Sequence, residues 1–189
     1  MKLMSEYVGN DLSVISEASK DGGEKSYTIE GIFAQAESKN RNGRIYPRAV
    51  MESAVGKYVT EQVKTGRAVG ELNHPEGPTV NLVNASHLIT DLVWEGNDVV
   101  GKARILDTPN GRIVKGLLSG GVKLGVSTRG MGSLEQREGC MYVKDDFMLA
   151  TVDIVQDPSA PQAFVNGIME GVDWVWNNGL IEARDIERA

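Results

Sequence analysis

Residues 122–132 read Val122-Lys123-Leu124-Gly125-Val126-Ser127-Thr128-Arg129-Gly130-Met131-Gly132. Val122, Leu124 and Val126 alternate with Lys123 and Gly125, the period of a strand. The stretch then runs into glycine and small residues, where a backbone can turn or approach another group closely. Ser127 falls at that change, with Arg129 two residues on. A hydroxyl at the end of a rigid strand beside permissive backbone suits a nucleophile. It suits an ordinary turn serine as well, so the rest of the chain has to decide.

On the upstream side, Thr108-Pro109 has the form of a helix cap followed by a first-turn proline. Ile113, Val114, Leu117 and Leu118 give that helix an apolar face, and Gly120-Gly121 stops it. Further back, 85–95 and 99–106 form a hairpin around Gly96-Asn97-Asp98. Residues 67–74 read as a strand that ends before Pro75, in a loop through Glu76-Gly77-Pro78. Pro47 opens a second helix reaching about Val63, after a turn at Asn42-Gly43. Tyr27, Ile29, Gly31 and Phe33 alternate as a strand. Downstream, 134–138 and 141–143 form a hairpin across Glu138-Gly139. Residues 147–155 are a mostly apolar strand interrupted by Asp153. The order is mixed, strands dominating, with two helices inserted. Residues 1–25 read as a flexible N-terminal segment, because serines alternate with charges and Lys20-Asp21-Gly22-Gly23-Glu24-Lys25 is a polar break. Residues 26–170 form the main domain. Residues 171–189 form a C-terminal tail, open to a helical reading and to removal.

A chain of 189 residues supports one domain with a real core. The net charge of −6 and pI near 5.0 argue against broad nucleic-acid binding, though a local basic patch stays open. Cys140 is the single cysteine; it excludes an intramolecular disulfide and fits a reducing compartment. No apolar run has the length of a membrane span, and the first residues lack the apolar centre of a signal peptide. Histidine chemistry is confined to His74 and His87.

Three residues invite a chemical reading. His74 ends one strand, Ser127 another, and Asp153 lies within a third. An imidazole near its ordinary pKa of about 6.5 can take a serine proton at neutral pH. A carboxylate on its far nitrogen would set the tautomer. A histidine before a proline also serves as a loop or capping group. Asp153 can point inward, where it faces a desolvation cost, or outward. Arg41 and Arg44 suit a solvated turn or a substrate-side loop. His74 with Glu71, Glu76 or His87 matches no zinc spacing, so no metal or other cofactor is expected. Residues 125–130 are neither a P-loop nor a Gly-x-Ser-x-Gly elbow.

Asn42-Gly43-Arg44-Ile45-Tyr46-Pro47, Gly70-Glu71-Leu72-Asn73-His74-Pro75, Gly125-Val126-Ser127-Thr128-Arg129-Gly130 and Val152-Asp153-Ile154-Val155 occur in that order. Together they resemble the prohead maturation proteases of tailed bacteriophages, across most of residues 26–164. The resemblance implies an α+β fold similar to herpesvirus assemblin, with a mostly antiparallel, β-barrel-like core surrounded by helices. It implies a serine endopeptidase with Ser127 as nucleophile, His74 as base and then acid, and Asp153 as third member. Cleavage would follow glutamate in phage scaffold and major capsid proteins and in the chain itself, at Glu17, Glu170 and Glu182. The setting implied is the procapsid interior in the host cytoplasm, with a homo-oligomer, no membrane and no direct nucleic-acid role. Arg129 or Arg44 would receive the substrate glutamate. Arg129, Ser159 or Ala160 would supply the oxyanion donors. The rival reading is a non-catalytic phage assembly or scaffold protein on the same fold.

Overall fold

The computed structural model describes residues 1–8, 12–17, 25–156, 172–177 and 180–185, the last two segments as backbone only. The strands and helices in chain order are β1 Lys2–Tyr7, β2 Ser13–Glu17, β3 Ser26–Gln35, β4 Arg44–Ile45, α1 Arg48–Tyr58, β5 Val69–Glu71, β6 Ala85–Glu95, β7 Asp98–Ile105, α2 Pro109–Ser119, β8 Leu124–Gly132, β9 Leu134–Arg137, β10 Cys140–Val143, β11 Met148–Gln156, β12 Val172–Asn177 and β13 Leu180–Asp185. A π-helical turn over Val59–Val63 prolongs α1.

Local chemistry explains most of these boundaries. The Thr108 hydroxyl accepts from the Gly111 N–H at 3.1 Å, a cap that stabilises a helix by about 1 kcal/mol. Pro109 then occupies the first turn, and Gly120 caps the other end. Glu138 and Gly139, both with positive φ (46° and 79°), make the tight β9–β10 turn that such backbone allows.

Two five-stranded antiparallel sheets carry the structure, in the orders β11-β8-β1-β12-β13 and β2-β3-β7-β6-β5. A third, small sheet has the order β4-β10-β9. The faces of the two large sheets share one core, in which Ile29, Phe33, Ile89, Ala103 and Ile105 meet Val126, Val152 and Ile154. Phe33, Ala103 and Val155 are wholly enclosed. The short strand β5 also joins the sheets edge to edge. Leu72 bridges Ile154 in parallel, the Asn73 N–H donates to the Ile154 carbonyl at 2.8 Å, and the Thr151 hydroxyl donates to the Val69 carbonyl at 2.9 Å. Among the described residues no pairing joins the far edges, β13 and β2, so the expected barrel is not closed.

Three expectations are corrected. The described parts of the N-terminal segment, residues 1–8 and 12–17, are not a flexible end. β1 lies inside its sheet and pairs with β8 from Lys2↔Gly132 to Tyr7↔Ser127, burying Leu3 and Met4. The described parts of the 171–189 tail, β12 and β13, are not helical: they pair as antiparallel strands, as Trp174, Val175 and Trp176 favour by their strand propensity. Nor does β8 turn after Ser127. It continues to Gly132 because a Cβ at Gly130 would lie 2.5 Å from the Met148 carbonyl oxygen and 2.6 Å from the Phe147 ring. There glycine admits neighbours and breaks nothing.

Candidate active site

Ser127 and Asp153 are directly opposed across the antiparallel β8–β11 pair. Opposed residues in such a pair project to the same face. Asp153 points inward, completely enclosed. Its Oδ2 accepts from His74 Nδ1 at 2.6 Å, and its Oδ1 accepts from the Glu71 N–H at 3.0 Å. His74 reaches Asp153 because Asn73 adopts φ +67°, a left-handed conformation that asparagine tolerates better than most residues. That kink ends β5 and swings the next side chain over β11. A carboxylate can only accept, so Nδ1 carries the proton and Nε2 of the neutral ring is the basic nitrogen.

Arg129 holds the other side of Asp153. Its Nε donates to Oδ2 at 2.8 Å and an Nη to Oδ1 at 3.2 Å. The same Nη donates to Glu71 Oε2 at 2.9 Å. The remaining Nη donates to the Gly77 and Thr79 carbonyls at 3.1 and 3.2 Å. Arg129 is 0% exposed and Glu71 1%. Burial alone would raise the Asp153 pKa; hydrogen bonds and charge from His74 and Arg129 outweigh it and hold the carboxyl below its ordinary value. His87, on β6, ties in from behind. Its Nε2–H donates to the Val152 carbonyl at 2.7 Å, and Nδ1 accepts from the Ser86 hydroxyl at 2.7 Å. Burial pushes the His87 pKa down.

These contacts revise several expected roles. With its guanidinium nitrogens engaged by two carboxylates and two carbonyls, Arg129 has no donor to offer a substrate carboxylate or an oxyanion. Arg44 is turned toward β1, where it donates to Glu6 at 2.9 Å. Asn40, Asn42 and Tyr46 donate to the same carboxylate at 2.9, 2.8 and 3.1 Å. The Asn-Gly-Arg-Ile-Tyr motif therefore seats β1, and with it the Ser127 strand. Glu71 accepts from Arg129, and His87 donates to the Val152 carbonyl. Ser159, Ala160 and Glu170 lie outside the described residues, Glu17 ends the edge strand β2, and Glu182 falls in β13. Sequence reading missed the Glu71–Arg129–Asp153 cluster. The available signal was a pair of charged residues, Glu71 and Arg129, inside otherwise strand-like motifs.

Acid should weaken the fold in two stages. A histidine whose folded pKa is depressed gives its full stabilisation above about 6.5, and loses it as pH falls through the folded value. His87 is that case. Asp153, also depressed, keeps its contribution until pH falls below its ordinary value near 3.8. Urea midpoints measured from pH 8 to 3 on the wild type and on His87→Gln isolate the first stage: between about pH 6.5 and 5 the wild type is expected to lose more stability than the variant, and both fall steeply below about 4. An equal or smaller loss in the wild type would contradict the assignment of His87 as a buried neutral donor.

A histidine on a buried carboxylate, beside a strand serine facing that carboxylate, is the arrangement of serine hydrolases. Over residues 7–173 the sequence matches the family described as prohead core protein serine protease, and the chain belongs to that family. It is 46% identical over 142 residues to the prohead core protein protease of Enterobacteria phage T4, covering 72% of this chain and 66% of the relative. It thus spans slightly under two thirds of that relative's length. The solved structure of the bacteriophage T4 capsid assembly protease, gp21, superposes with a TM-score of 0.76 at 39% identity. That match covers 83% of this chain and 98% of the other.

Proposed function

We propose that this chain is a serine endopeptidase of phage procapsid maturation, cleaving scaffold and major capsid proteins, and itself, after glutamate. Ser127 attacks the peptide carbonyl. His74 takes the hydroxyl proton at Nε2 and delivers it to the leaving amine. Asp153 fixes the tautomer and stabilises the imidazolium. The observation that carries this reading is the 2.6 Å contact between His74 Nδ1 and Asp153, made on the strand position opposite Ser127. A non-catalytic assembly protein has no need of a histidine bound to an enclosed carboxylate. Family membership supports the procapsid interior, in the host cytoplasm, as the place of action. Self-association and an assemblin-like core are part of the same proposal, carried by the motif resemblance.

The test is labelling with an aryl phosphonate probe. The protein takes up one probe, and Ser127→Ala takes up none. Equal labelling of the Ser127→Ala protein sinks the assignment.

Self-cleavage takes a particular form under this reading. A cut after Glu17 cannot simply shed a loose end, because β1 is seated in the sheet and Glu6 is held by four side chains. The fragment stays bound. Intact-mass spectrometry of concentrated protein is expected to show a new terminus at Ala18, Gly171 or Ala183, absent from Ser127→Ala. Size exclusion under native conditions should show the N-terminal piece co-eluting with the rest. Original termini retained while a glutamate peptide is being cleaved would rule self-processing out.

A further inference from the structure

A buried arginine needs one carboxylate for charge balance, yet Arg129 has two, Glu71 and Asp153. With a neutral His74 the cluster carries a net charge of −1, by the sum of one guanidinium and two carboxylates. When His74 takes up a proton the sum becomes zero. That neutral sum belongs to the state that forms as the serine gives up its proton, and an extra carboxylate biases the site toward it. Other groups cannot supply this bias. Around Asp153 stand Ser127 and Arg129 from β8, Glu71 and His74 from β5 and the turn after it, Tyr58 from α1 and His87 from β6. The Tyr58 phenol is pushed up to about 12, chiefly by burial, and His87 is pushed down, so both are neutral near pH 7. Charge at the site is set by Arg129 and Glu71.

We propose that Glu71 and Arg129 are a positioning pair for His74: Arg129 bridges Asp153 to the loop carbonyls of Gly77 and Thr79, and Glu71 supplies the extra negative charge that favours the imidazolium. Neither residue contacts the reacting atoms; both act through Asp153 and the loop that carries His74. A merely structural arginine would be satisfied equally by glutamine at position 71, which keeps the acceptor and drops the charge. That difference is what an experiment can read. The inference rests on the serine-protease reading above.

The measurement is kcat/KM against pH, from 5 to 9, on a peptide the wild-type enzyme cleaves. Loss of negative charge makes proton uptake by the imidazole harder. Glu71→Gln therefore moves the acid limb to lower pH, by about half a unit or more, and lowers kcat on the plateau with KM little changed. Loss of positive charge does the opposite: Arg129→Gln moves the acid limb to higher pH by about one unit. Opposed shifts support the pair. Limbs that stay fixed while the plateau falls, or that move in the same direction, overturn it. Should Arg129→Gln fail to fold, Glu71→Gln decides alone: a shift to lower pH supports the pair, a fixed limb overturns it. Ser127→Ala measured in parallel separates the two levels. Full activity there removes the serine mechanism and the pair with it. Lost activity there, with a fixed limb in Glu71→Gln, removes the pair only.

Discussion

Ser127→Ala is expected to lower peptide turnover by about three to six orders of magnitude while leaving the fold intact. Ser127 sits in the middle of β8, paired on one side with Tyr7 and on the other with Asp153. The substitution removes one oxygen and leaves the backbone ladder untouched, so the loss is one of chemistry. His74→Ala should match it, since nucleophile and base act as a unit and their losses do not add. Asp153→Asn is a different experiment. Besides holding His74, that carboxylate accepts from Arg129 and from the Glu71 backbone. Replacing it with an amide leaves the guanidinium balanced by Glu71 but sets an NH2 against donors that one oxygen can no longer satisfy, at a cost of about 1–3 kcal/mol for each buried group left unpaired. Activity and thermal midpoint should therefore fall together in Asp153→Asn, whereas in Ser127→Ala only activity falls. Peptidase assays beside circular dichroism melts distinguish the cases. Unchanged proteolysis by purified Ser127→Ala protein would end the claim that Ser127 is the nucleophile.

The elements legible in the sequence were those whose cause is local. α2 is bounded by Thr108 and Gly120, and the β6–β7 and β9–β10 hairpins turn at the residues their composition marks. What was not legible depends on partners far along the chain. β1 carries Ser5 and Glu6 among its apolar residues, which reads as a loose polar end. Its stability comes from β8, more than 110 residues away, and from the four side chains that satisfy Glu6. The same holds at the site. Asp153 was open to an inward or an outward reading because its own strand alternates poorly. Its direction is set by donors from two other elements, Arg129 and His74. Arg129 was expected to meet the substrate glutamate or the oxyanion beside the nucleophile. Only the fold shows that Glu71 and the Gly77 and Thr79 carbonyls enclose it. From motifs, sequence reading named His74, Ser127 and Asp153, of which His74 contacts Asp153 and Ser127 lies opposite it. It misplaced the supporting charges, because burial of a charge is decided by what surrounds it.

Gly70→Ala is expected to be among the most damaging single-methyl changes available in this chain. Gly70 is the middle residue of β5 and pairs with His87. A Cβ there would lie 2.2 Å from His87 Nε2, 2.4 Å from its Cε1 and 2.5 Å from the Val152 carbonyl oxygen. Neither neighbour yields easily. The His87 ring is fixed at both nitrogens, and turning it away would leave the enclosed Val152 carbonyl without its donor. Val152 is itself backbone of β11, one residue before Asp153. Overpacking of a tight core usually costs about 1–3 kcal/mol, and a lost buried hydrogen bond adds about 1–3 more. A total of about 3 kcal/mol or more would lower the urea midpoint by about 1 M or more. Any shift of β11 also moves Asp153 relative to His74, and a displacement near 1 Å can cost about a hundredfold in rate. Stability and turnover should both drop, and by more than in Gly116→Ala, where a Cβ in α2 meets nothing within 4 Å. In a His87→Ala background the added penalty of Gly70→Ala should shrink by about 1 kcal/mol or more, because the ring is gone and only the carbonyl remains. A Gly70→Ala protein with wild-type midpoint and activity would show that the β5–β11 contact is looser than this geometry, and that the close approach of the two sheets is not what sets the site.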